Sequence, residues 1–194
     1  MRSTVPALPS ICLAFVLALW LGCLPRTALA VELPRLGAER TEQGVLLSFE
    51  TRFELPPGVL DALQKGVALH FVAEARVLRP RWYWRDQRVG QASRSWRLSY
   101  QPLTFSYRVG LGGLTQTYAS LDDALRAVQR SSRWRIADPI APDDEGPFYV
   151  EFAYRLDATQ LPRPLQIGLG SQPEWSLHVD HTFALPPEQA VRRD

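Results

Sequence analysis

Apolar and polar residues alternate with a period of two over most of the chain. Val45, Leu47, Phe49 and Phe53 fall on one side, and Ser48, Glu50, Arg52 and Glu54 on the other, which is the pattern of a half-buried strand. Glu42-Gln43-Gly44 reads as the turn before it, so residues 36–41 are expected as its hairpin partner. Pro56-Pro57-Gly58 ends the strand. A short helix is predicted over 59–65, with Leu60 and Leu63 inward and Gly66 at its stop. Val67, Leu69, Phe71, Ala73, Ala75 and Val77 then alternate as a long strand. Residues 81–86, 93–101 and 103–109 read as further strands, the last with Phe105, Tyr107 and Val109 inward, before a turn at Gly110, Gly112 and Gly113.

Ser120 is placed to cap a second helix. Asp122 and Asp123 suit its positive end, and Leu121, Ala124, Leu125 and Val128 form the i, i+3, i+4, i+7 stripe. Trp134 and Ile136 begin another strand, and 138–147 is a polar loop. Phe148, Val150, Phe152, Tyr154 and Leu156 alternate, 161–173 is irregular, and Trp175, Leu177, Val179, His181 and Phe183 make the last strand. Hairpin-like spacing without a repeating strand–helix–strand unit predicts a mainly β, antiparallel, sandwich-like single domain with about two short helices.

The first thirty residues break this pattern. Met1 and Arg2 are followed by an uncharged apolar run of fourteen from Ile11 to Leu24, and Ala28-Leu29-Ala30 has the small-x-small form that signal peptidase reads. A spanning helix needs about 20 apolar residues. Residues 1–30 are therefore expected to be a cleaved secretory signal peptide, 31–186 the β-rich domain and 187–194 a frayed polar tail. Export to the periplasm follows, with an inner-membrane anchor as the alternative if the segment is retained. Trp20 fits poorly in the triplet before Cys23, against lipoprotein processing.

Cleavage removes both cysteines and with them thiol nucleophiles, thiolate metal sites and disulfides. It also removes Arg2 and Arg26, leaving 20 basic and 20 acidic side chains. Overall charge thus says nothing about partners, but its distribution does. Residues 76–97 carry seven arginines (76, 79, 81, 85, 88, 94 and 97) against Asp86 alone, together with Trp82, Tyr83, Trp84 and Trp96. Guanidinium groups interleaved with aromatic rings suit an anionic or planar partner. The candidate contact surface is Arg79, Arg81, Trp82, Trp84, Arg85 and Arg88. Strand alternation would place Pro80, Trp82 and Trp84 on one face, with Arg79, Arg81, Tyr83 and Arg85 on the other. The competing reading is that the arginines pair with the protein's own acids while the tryptophans fill the core.

Catalytic patterns are sparse. There is no G-x-S-x-G, no H-E-x-x-H and no phosphate loop, and the glycines at 110–113 precede strand-like residues. His178 and Asp180 share a strand face and are the candidate pair for a metal ion, while His181 points the other way as a partly buried imidazole. Glu50 and Glu54 flank Arg52 as a solvated charge ladder, and Asp143-Asp144-Glu145-Gly146 lacks the alternating ligand spacing of a calcium loop. No cofactor is implied.

Four segments together resemble the proteobacterial domain-of-unknown-function family 4390: Val67-Ala68-Leu69-His70-Phe71; Arg79-Pro80-Arg81-Trp82-Tyr83-Trp84; the stretch from Leu114 to Leu125 (LTQTYASLDDAL); and Leu161-Pro162-Arg163-Pro164-Leu165-Gln166. The resemblance covers about residues 33–186. It implies a Gram-negative, exported, single-domain protein, often encoded beside a membrane-bound sensor kinase, and it carries over no catalytic residue. The expectation is a non-catalytic accessory module of the cell envelope whose partner is an envelope protein or an anionic, membrane-proximal surface. Nucleic acid is not expected, nor is a transmembrane span in the mature chain. The alternatives are an apolar-ligand or lipid-binding β domain and an envelope hydrolase using His178 and Asp180 or Glu50 and Glu54.

Overall fold

The first hairpin forms where the alternation places it. In the computed structural model, β1 (Glu32–Thr41) and β2 (Gly44–Arg52) pair antiparallel around Glu42 and Gln43, and Gly44 adopts a φ of 123° that disfavours a side chain. The structure describes residues 31–83, 85–141, 144, 146–161 and 175–187. The expected signal peptide, nearly all of the irregular stretch 161–173 and most of the polar tail lie outside them.

Helix α1 (Pro57–Gln64) starts at a proline whose missing N–H is no loss in the first turn, and Gly66 follows it at φ 89°. It buries Val59, Ala62 and Leu63, while Leu60, expected inward, is half-buried. The helix begins two residues before the predicted start, and its inward stripe follows i, i+3, i+4 from Val59. Then come β3 (Leu69–Arg79), β4 (Gln87–Gln101), β5 (Ser106–Leu111) and β6 (Leu114–Tyr118). Helix α2 (Leu121–Val128) follows, capped as expected by the Ser120 hydroxyl, which accepts the Asp123 N–H at 3.2 Å. The remaining strands are β7 (Arg130–Ala137), β8 (Tyr149–Leu156) and β9 (His178–Ala184), with a 3-10 turn, Ala158–Gln160, after β8.

The strands form two antiparallel sheets, β1-β2-β7 and β6-β5-β4-β3-β8-β9, in one mainly β domain with two helices. The sheets meet through rings. Phe49 on β2 lies 4.8 Å from Phe152 and 5.9 Å from Tyr154 on β8, and edge-on to Trp96 on β4 at 6.1 Å. The buried Tyr154 hydroxyl donates to the Val128 carbonyl at 3.0 Å, so this core polar group is satisfied where α2 ends.

The structure corrects several local expectations: β4 begins at Gln87 and not at 93, and β9 at His178 and not at Trp175. Residues 81–86 are the loop between β3 and β4, because the ladder closes at Arg79 opposite Gln87 and Pro80 has no N–H with which to extend it. Leu103 and Phe105 are exposed, because a turn after Pro102, with Thr104 N–H on the Gln101 carbonyl and Phe105 at φ 47°, holds them off the sheet; Tyr107 and Val109 do turn inward. The strand-like residues after the glycines do form a strand, β6, folded back by Gly112 and Gly113 at φ 55° and 87°. His181 is exposed, because β9 is an edge strand.

Candidate functional site

Strands β3 and β4 run in register from Leu69 opposite Leu98 to Arg79 opposite Gln87, broken where Val77 faces Gly90 and Leu78 faces Arg88. Val89 is thus the extra residue of a β-bulge. Residues 80–83, 85 and 86 lie beyond the last paired rung of this hairpin.

Asp86 shapes the loop. Its carboxylate accepts the Arg81 N–H at 3.2 Å on one oxygen and the Tyr149 hydroxyl, from the start of β8, on the other. That hydrogen bond pushes the Tyr149 phenol up to about 12, with burial and the negative charges of Asp86 and Glu151 acting in the same direction. The one acid among the seven arginines is therefore held as a staple between loop and sheet. Around it, the Arg81 guanidinium donates to the Gln87 side-chain carbonyl, and Arg88 donates to that of Gln91 at 2.8 Å. Arg85 is exposed, and neither it nor Arg81 nor Arg88 makes an ion pair among the described residues. Trp82 is 94% exposed and Tyr83 64%, their rings edge to face at 5.0 Å.

Other parts of the arginine-rich stretch behave differently. Arg79, expected on the contact surface, is engaged by the protein itself while partly exposed: its Nη1 lies 3.1 Å from the Asp144 carboxylate, and its guanidinium sits 5.6 Å above the Phe148 ring. Arg40 shares that ring at 4.5 Å. Arg76 pairs with Glu151 at 3.6 Å. Arg94 donates to the Ser131 hydroxyl at 2.6 Å and lies over Trp134, and burial lowers its pKa. Trp96 is core. Trp84 lies outside the described residues. Self-neutralisation and core filling thus account for Arg76, Arg79 and Trp96, and leave Arg81, Trp82, Arg85 and Arg88 outward.

His178 and Asp180 do share a face of β9, both exposed, opposite Arg155 and Ala153. Among the described residues no group of three or more His, Cys, Asp or Glu side chains is placed to hold a metal ion. Asp180 also lines a cleft of about 270 Å³ with Glu74, Arg76 and Glu151 on the outer face of the large sheet, where Glu74 pairs with Arg155 at 2.7 Å and Arg76 with Glu151. Glu50 pairs with Arg35 and Arg52 at 3.8 and 3.3 Å, and Glu54 lies past the end of β2, so the two glutamates do not share a strand face. The space between the sheets, where an apolar ligand would sit, holds Phe49, Trp96, Phe152 and Tyr154 in contact. Sequence patterning missed the exposed Leu103, Phe105 and Leu114 at the β4–β5 and β5–β6 turns. The signal was Pro102 and the Gly112-Gly113 pair, which mark where alternation stops reporting burial.

The class of protein these features define is a small antiparallel β-sandwich with a cationic, aromatic hairpin tip. The chain matches the family model described as domain of unknown function DUF4390 over residues 28–184 and belongs to that family, as the four sequence segments indicate. No curated protein and no solved structure matches it. Among the described residues no helix is long and apolar enough to cross a membrane.

Proposed function

We propose that this protein is a non-catalytic interaction module of the cell envelope, exported to the periplasm, which contacts an anionic, membrane-proximal partner through the β3–β4 tip. The observation that carries the reading is the outward set Arg81, Trp82, Arg85 and Arg88, three guanidinium groups without a carboxylate partner among the described residues beside a ring 94% exposed. Desolvating a guanidinium is favourable only against an anion or a π face, and an exposed tryptophan gains by burial at a contact. The leader pattern of residues 1–30 supports export, and the family resemblance makes a membrane sensor kinase the neighbour to test first.

The R81E/R85E double variant, with both side chains exposed, is expected to melt within a few degrees of the wild type and to lose partner capture on crosslinking in intact cells. Undiminished capture would overturn the assignment of the tip.

A further inference from the structure

The tip's chemistry narrows its partner to one kind of surface. Resting on the reading above, we infer that the β3–β4 tip is an interfacial membrane anchor, with Trp82 and Tyr83 seated at the headgroup level of an anionic bilayer and Arg81, Arg85 and Arg88 against its phosphates.

Three observations carry this. First, the tip lies past the last rung at Arg79 and Gln87, and Arg81, Trp82, Tyr83 and Arg85 in it are all exposed. Second, the composition is that of an interfacial belt. Trp82 and Tyr83 are amphipathic rings in edge contact, largely exposed, and Val89 at the bulge behind them is 38% exposed. Rings of this type favour the boundary between water and acyl chains, and arginines beside them add attraction to anionic headgroups. Third, the loop is tied to the sheet without consuming these groups. Asp86 ties the loop backbone at Arg81 to the Tyr149 hydroxyl, so the one local acid is engaged toward the sheet. Arg79 ties the base to Asp144. An acidic protein surface would satisfy the guanidinium groups equally, but the paired, largely exposed rings would then need a matching cavity, whereas a bilayer accepts them without one.

The test is sedimentation of the full chain with vesicles of phosphatidylcholine alone or mixed equally with phosphatidylglycerol. Residues 11–24 are themselves apolar, so the informative quantity is the difference between wild type and tip variants. Binding to anionic vesicles is expected to fall about 30-fold in R81Q/R85Q, about fivefold per guanidinium, and to weaken with added salt. W82A is expected to weaken it about tenfold while melting as the wild type does. Equal binding of wild type and variants, or equal binding to neutral and anionic vesicles, would overturn the inference. A photo-crosslinker at position 83 in cells separates the two levels. Lipid adducts support the anchor. A protein adduct removes it and leaves the anionic-partner reading standing, and the absence of either adduct removes both.

Discussion

His70 shows how one side chain acquires a pH dependence from its neighbours. It sits half-buried near the start of β3, opposite Arg97. Burial, and then the Arg97 charge, lower its pKa, with Asp157 opposing. The folded chain therefore keeps His70 neutral to lower pH than the unfolded chain does. As pH falls below the ordinary histidine value of about 6.5, the unfolded state binds more protons and stability is lost until the folded value is passed. The melting temperature is expected to decline across that window and to decline less in H70Q. Parallel profiles for the two proteins would show that other groups set the slope. Asp86 is a second case of one residue in two roles: it is the sole acid of the arginine-rich stretch by composition, and by position it is the acceptor that shapes the tip.

Among the elements, α2 is the one whose local sequence accounts for it most fully. Ser120 caps it, Asp122 and Asp123 occupy the positive first turn, and Ala124, Leu125 and Val128 are buried. The Ser120 hydroxyl also meets the Asp123 carboxylate at 2.6 Å, and that bond, followed by the Arg126 contact, lowers the Asp123 pKa. S120A is expected to cost about 1 kcal/mol, read as a lower denaturation midpoint with an unchanged slope; a midpoint equal to wild type would mean the cap is idle. The β3–β4 hairpin is the opposite case. Strand β3 and the part of β4 over 93–101 were legible from alternation, but 87–92 were not, and 81–86 alternate and do not pair. What stops the ladder is the engagement of Arg81 N–H by Asp86 and the absence of an N–H on Pro80, neither of which has a hydropathy signature.

For the molecule as a whole, the critical contact is where the edge of β4 meets the small sheet. A Cβ added at Gly90 would meet the Ala137 Cβ, with Ala137 Cα at 2.8 Å and the Ile136 carbonyl at 2.9 Å, so the backbone of β7 would have to move. G90A is expected to destabilise the fold by about 1–3 kcal/mol, since a close-packed interior resists added volume. Thermal melts check this, and a neutral result would mean that the sheets separate there without cost. The same end of the sandwich carries the tip, with Asp144 and Phe148 from the β7–β8 connection beneath it.

By itself the sequence determined what short-range physics controls: the period-two strands, both helices, the Ser120 cap, most turns, and the concentration of guanidinium groups between 76 and 97. It reached the candidate site as a segment and named most of its outward residues. Tertiary structure decided which of those residues face out. Trp82 and Trp96 lie in the same stretch, yet one is 94% exposed and the other 2%. Arg79 is paired with Asp144, 65 positions away, and the tip is stapled by Tyr149, 63 positions from Asp86. Alternation reports which side of a strand a residue occupies. Whether that side is covered, and by which charge, depends on segments that only folding brings together.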